Sequence, residues 1–125
     1  MVTPISYDLT CEARADHVFA RVRSIAFTPD IASRFLRDAR SKLIDARKVH
    51  LLLEVELAHT LSDQEAFDFM DRFSGMLSGL RVALVNRDPK HHEPLLFGIR
   101  VSREAGEEYG YFTSTDDALD WLRSV

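Results

Sequence analysis

His91-His92-Glu93 and His59 are the side chains with the most obvious chemical capacity, each following an apolar run that reads as a strand. Segments leaving strand ends are where α/β proteins place ligands, so these histidines could form a metal or acid/base cluster. No second ligand pair with metal-site spacing accompanies them, and the ordinary reading is solvent-exposed loop histidines. Glu54 and Glu56 could act as paired carboxylates, but they read better as the solvated end of a strand. Arg34, Arg37, Arg40 and Lys42, continued by Arg47 and Lys48, could attract phosphates. Asp30, Asp38 and Asp45 interleave with them, which favours a salt-bridged outer helix face. The single cysteine, Cys11, falls on the apolar side of its strand and reads as a small core residue. An enzyme using His59, His91 and Glu56 therefore ranks last among the function classes. No catalytic motif, metal site or cofactor is expected.

Composition narrows the remaining classes. At 125 residues the chain reads as one domain (1–125), long enough to bury about two-thirds of its unfolded surface. Twenty acidic against 16 basic side chains give a formal charge of −4, with no global attraction to nucleic acid or anionic membrane. One cysteine excludes an internal disulfide and fits a reducing compartment. Tyr7, Asp8 and Glu12 stand where a secretory signal would need basic residues and an apolar block. No run approaches the ~20 apolar residues of a membrane span. A cytoplasmic location without stable membrane insertion is expected.

The elements that must position these residues are clearer. Ile5, Tyr7, Leu9 and Cys11 alternate with polar residues as in a half-buried strand. His17 to Phe27 reads as a second strand, forming an antiparallel hairpin with the first across a weakly signalled turn at Glu12–Asp16. Thr28-Pro29-Asp30 starts a helix, with Thr28 as N-cap and Pro29 at the first helical position. Its apolar stripe is Ala32, Phe35, Leu36, Ala39, Leu43 and Ala46. The run Leu51, Leu52, Leu53, Val55 is short and apolar enough for a strand buried on both faces.

Ser62 followed by Glu65 has capping-box spacing. Beyond it Ala66, Phe69, Met70, Phe73 and Leu77 share a helix face, placing Phe69 and Phe73 in the core. Gly75 and Gly79 bracket the end of that helix. Leu80 to Val85 is a second buried strand. Leu95, Phe97, Ile99 and Val101 alternate like a strand, whereas Leu96, Ile99 and Arg103, with Pro94 near the start, suit a helix; two buried parallel strands need a crossover, so His92 to Ala105 is assigned mainly to helix. Gly106 ends it. Tyr109 to Thr113 reads as a last strand, and Ser114-Thr115-Asp116-Asp117 caps a final helix with Ala118, Leu119 and Leu122. The fold class is α/β: β-β-α-β-α-β-α-β-α, a mixed, mostly parallel sheet flanked by helices.

That order, with several local phrases, resembles the STAS superfamily and its SpoIIAA-like branch of bacterial proteins. The resembling residues are His50-Leu51-Leu52-Leu53-Glu54-Val55, Leu61-Ser62-Asp63-Gln64-Glu65, Arg81-Val82-Ala83-Leu84-Val85 and the stretch Tyr111 to Leu122. The resemblance implies a non-catalytic, regulatory binding module. Anti-sigma-factor antagonists of this superfamily carry a phosphorylatable serine in an Asp-Ser-Ser-Gly turn opening the second helix, where free N–H groups and the dipole favour phosphate. Ser62, Asp63, Gln64 and Glu65 fall on those four positions, so Gln64 replaces the serine and Glu65 the glycine. The resemblance thus implies a module without the usual switch, and Asp63 and Glu65 would repel phosphate at Ser62 or Thr60.

Phe67 is the least ordinary residue of the second helix. It lies roughly 200° from Phe69 at ~100° per residue, and so should be partly exposed. A loose surface aromatic is the plain reading. The functional readings are a protein-docking surface, a homodimer contact, or the lip of a cavity for a small apolar ligand or lipid. The surface expected for a partner or ligand comprises His59, Thr60, Ser62, Asp63, Gln64 and Phe67, with Asn86, His91 and His92 adjacent.

Overall fold

The structure is a computed structural model in which residues 7–24, 29–58 and 62–124 are described, residues 7, 24, 29 and 69–75 by their backbone alone. Five strands form one sheet: β1 (Tyr7–Ala13), β2 (Val18–Ser24), β3 (His50–Leu57), β4 (Arg81–Val85) and β5 (Glu108–Phe112). The helices are α1 (Pro29–Ala46), α2 (Asp63–Phe73), α3 (His92–Glu104) and α4 (Thr115–Leu122), with short 3-10 turns at Ser74–Leu77 and Pro89–His91. The element order is the one expected. Strands lie in chain order; β1 is antiparallel to β2, and every later pair is parallel.

Sequential order decides where the helices go. Right-handed crossovers that step across a sheet in one direction put their helices on one face. The larger core accordingly joins Ala32, Phe35, Leu36, Ala39 and Leu43 of α1 to Leu51, Leu53 and Val55 of β3, Val82 and Leu84 of β4, and Leu95 and Ile99 of α3. After β5, α4 covers the other face. There Leu52, Ala83 and Val85 pack on Ala118 and Leu122, with Trp121 and Phe112 alongside. Alternate residues of β3 thus enter two different cores, which is why its apolar run is uninterrupted. The α4 layer stops short of β1 and β2, whose polar side chains Thr10, Arg21 and Arg23 remain on an open face.

Several local expectations are met and some are corrected. Pro29 opens α1 as expected; its proposed cap Thr28 lies outside the described residues, as do Ile5 and the end of the strand assigned to His17–Phe27, whose described part starts at Val18. The alternation over Leu95–Val101 belongs to a helix: the buried residues of α3 are Pro94, Leu95, Gly98, Ile99 and Ser102, a helical spacing that excludes Leu96 from the inner face. Ala66 and Leu77 are buried as the α2 stripe requires; the side chains of Phe69, Met70 and Phe73 are outside the described set.

Helix ends show the same backbone solution with unequal residues. After α3, Gly106 N donates to Arg103 O and Glu107 N to Ser102 O, with Gly106 at φ +94°. After α1, Arg47 N donates to Ile44 O and Lys48 N to Leu43 O, with Arg47 itself at φ +56°. Both are Schellman closures, but Arg47 occupies the left-handed region where a Cβ is penalised. On the α1 surface, Arg37 donates to Ser33 Oγ and Arg40 to the Met76 carbonyl.

Candidate functional site

The carboxyl ends of β3 and β4 lie side by side, Leu53 beside Leu84 and Glu54 beside Val85. The segments leaving them are then fastened together. Asp88 caps the turn after β4: its carboxylate accepts from Lys90 N at 3.1 Å, Pro89 holds the first position, and His91 N donates to Asp88 O. The Lys90 amide holds the Asp88 carboxyl below its ordinary range. This turn aims Lys90 Nζ at the Ala58 carbonyl, 3.3 Å away. It also drives His91 inward.

His91 is not the solvent-exposed loop histidine expected from its polar neighbours. It is 1% exposed, and its Nε2 donates to the Leu57 carbonyl at 2.8 Å. That bond supplies a partner for the last carbonyl of β3, so the imidazole works as a clamp between two chain segments. Asn86 is equally withdrawn, at 2% exposure. Its Nδ2 donates to the Asp88 carbonyl and to Tyr111 Oη, and its Oδ1 accepts from Asp88 N. The same phenol oxygen is hydrogen-bonded to His92 Nδ1 at 3.1 Å, so Tyr111 links Asn86 to the first turn of α3. The His92 and Tyr111 rings meet edge to face. Burial pushes the Tyr111 phenol up from its ordinary pKa. Pro89, His92, Glu93, Tyr111 and Thr113 border an open cleft of about 290 Å³ above this network.

The paired-carboxylate expectation is corrected. Glu54 is 7% exposed, not solvated. It faces α4, accepting from Arg87 at 2.6 Å and from Thr115 Oγ1 at 3.0 Å, while Arg87 also donates to Thr115. Glu56 is bound by Arg21 and Arg23 of β2, and the Arg21 hydrogen bond holds its carboxyl below the ordinary range. Both carboxylates are therefore committed to arginine partners. Among the described residues no three His, Cys, Asp or Glu side chains gather as a metal site.

Across the corner, α2 begins as its residue types require. Ser62 Oγ accepts from Glu65 N, and Glu65 Oε1 accepts from Ser62 N, both at 3.1 Å. This is the reciprocal capping box, so the Ser62 hydroxyl has a structural occupation. Gln64 donates to Asp68 one turn on. Phe67 is 37% exposed, and Phe97 of α3 is 38% exposed. Their ring centroids are 6.4 Å apart, the two aromatics bridging the helices at the surface.

Of the nine residues expected at the surface, Ser62, Asp63, Gln64 and Phe67 are exposed and His92 is partly exposed. Asn86 and His91 are buried supports behind it, and His59 and Thr60 lie outside the described residues. Phe97 was not among the surface residues expected; at helical spacing it falls on the face of α3 opposite Leu95 and Ile99. His17 was also missed as a buried group. It donates from Nδ1 to Asp16, whose other oxygen accepts from Arg123, so the β1–β2 turn is tied to the end of α4.

No family model matches the chain, and no curated protein matches it. Two solved structures share its fold over nearly the whole length. One is an uncharacterized DUF3478-family protein with a SpoIIAA-like fold from Shewanella loihica PV-4: 21% identity, 98% of each chain, TM-score 0.58. The other is an anti-sigma factor antagonist from Mycobacterium paratuberculosis: 16% identity, 98% of this chain and 99% of that one, TM-score 0.61. The likeness is one of fold, and the fold is SpoIIAA-like. Among the described residues no helix is long and apolar enough to cross a membrane.

Proposed function

We propose that this chain is a regulatory binding module that acts by docking another protein, at the corner where the segments after β3 and β4 meet. The observation that carries this reading is the contrast within that corner. Its interior is fixed by hydrogen bonds, His91 to Leu57 O and Asn86 to Asp88 O and Tyr111, and its rim leaves Phe67 and His92 accessible. A rigid base beneath exposed aromatic groups suits recognition, because little ordering cost remains to be met on binding. The anti-sigma factor antagonist among its fold neighbours supports a protein partner by analogy.

The module works without a serine phosphoswitch in this reading. Ser62 is engaged as a helix cap, Gln64 stands where a phosphorylated serine would, and Asp63 and Glu65 add negative charge beside it. Recognition is thus constitutive, set by the partner's abundance and not by phosphate. The functional group set is one of binding: the carboxylates Glu54 and Glu56 are held by arginines, and His91 is turned inward.

Affinity capture with the full chain, read beside its solution mass, tests the proposal. One partner should be retained by the wild type and lost by Phe67→Ala at unchanged fold. Retention by Phe67→Ala would count against this docking corner. A chain that only self-associates would replace a foreign partner with a second copy.

A further inference from the structure

The partner's chemistry can be read from what surrounds the exposed aromatic pair, an inference that rests on the docking reading above. Phe67 and Phe97 belong to different helices, yet each leaves over a third of its surface in water while their rings approach at 6.4 Å. A lone exposed aromatic is unremarkable, but two converging across a helix–helix seam make a continuous apolar strip. Val101, one turn beyond Phe97 on α3, is partly exposed and extends it.

The charges along this strip are unequal. Asp63 lies one turn before Phe67 and Asp68 beside it; Glu93 lies one turn before Phe97. All three are exposed; among the described residues the opposing charges are Arg100, one turn after Phe97, and Lys90, one turn before Glu93, whose ammonium is held by Asp88 and the Ala58 carbonyl. Gln64, bonded to Asp68, adds a polar amide to the same rim. An apolar strip with an acidic rim selects among occupants by complementarity. An anionic bilayer would be repelled. A second copy laid on the same face would bring one acidic rim against another. A helix with Lys or Arg flanking an apolar stripe matches both features.

We infer that the Phe67–Phe97 strip seats a basic amphipathic helix of the partner protein. Its apolar side chains lie over the two rings, and its cations face Asp63, Asp68 and Glu93. Phe97 is then an anchor of the interface together with Phe67, and the acidic rim sets attraction and orientation.

The test uses the full chain and a short labelled amphipathic peptide with lysines on one face and leucines on the other, beside a version with glutamates for lysines. Fluorescence anisotropy should show binding of the lysine peptide that weakens as salt rises. Phe97→Ala should weaken it about tenfold or more. Asp68→Asn with Glu93→Gln, which leaves the aromatic pair intact, should weaken it and flatten the salt dependence. The inference is overturned if the lysine peptide does not bind, if the glutamate peptide binds as well, or if Phe97→Ala binds like the wild type. A dimer of the chain that Phe97→Asp dissociates would overturn it in favour of a second copy. The docking reading fails separately: a captured partner that contacts this corner through a neutral or acidic segment overturns the basic helix alone, whereas one that contacts only the open β1–β2 face overturns both.

Discussion

Glu54 offers the sharpest test of how the loop after β4 is held. Its side chain is 10% exposed, and its Oε1 accepts from both Arg87 and Thr115. The three residues come from β3, the segment after β4 and the first turn of α4. Glu54→Gln keeps an acceptor but removes the charge. A hydrogen bond to a charged group contributes about 1.5–3 kcal/mol and a neutral one about 0.5–1.5, so the substitution should cost about 1–1.5 kcal/mol. Arg87→Ala strips the carboxylate of its cation. For a fully buried pair that costs about 3–5 kcal/mol. The Arg87 side chain is 55% exposed, so water screens and partly replaces it, and about 1–2 kcal/mol is the better figure. Urea unfolding of both single variants and the double variant closes a thermodynamic cycle. The double variant should cost about 0.5–1 kcal/mol less than the two singles added. In a chain of this length each kcal/mol should lower Tm by about 3–5 °C. Strict additivity, or a Glu54→Gln variant as stable as the wild type, would refute the idea that this carboxylate ties the three segments together.

Other consequences follow from the same structure. Leu52 is fully buried in the thin layer under α4, and Leu52→Ala should destabilise by about 2–5 kcal/mol, read as a lower urea midpoint. Arg47 sits at φ +56° in a closure that Gly106 makes without strain; Arg47→Gly should therefore raise stability, by about 0.5–1 kcal/mol after the extra freedom of the unfolded glycine is subtracted. Acid should destabilise the chain with a definite sign. Glu56 is held below its ordinary value of 4.5 by Arg21, and Asp16 below 3.8 by Arg123. Groups lowered in the folded state contribute fully above their unfolded values, and the contribution disappears as pH falls through the folded ones. Stability should thus be level above about pH 5 and fall below about pH 4.5, with a shallower acid limb in Glu56→Gln and Asp16→Asn. An acid limb unchanged by both substitutions would show that these pairs are not the source.

The legible parts of this fold are those encoded by near neighbours. Leu51–Val55 and Leu80–Val85 read as interior strands because an apolar run of that length has few other uses, and Ser62 with Glu65 reads as a helix start because the two groups satisfy each other. What stayed hidden depends on distant residues. Glu54 resembles any strand-end carboxylate until Arg87 and Thr115 arrive from 33 and 61 positions away. His91 resembles a loop histidine until the parallel pairing of β3 and β4 brings Leu57 O beside it. Phe97 becomes an exposed partner of Phe67 only once α2 and α3 pack together. Arg47 gave no signal, because the usual glycine at a left-handed helix end is replaced by a residue that must tolerate strain.

Oxidative footprinting of the free chain and of its complex with the captured partner tests the docking corner most directly, because it reads individual aromatic and imidazole side chains. Phe67, Phe97 and His92 should be modified readily in the free chain and become protected together in the complex, while the half-buried Phe19 of β2, packed beside the α4 core beneath Arg14, is unchanged. Protection of Phe19 with Phe67, Phe97 and His92 unchanged would contradict the account.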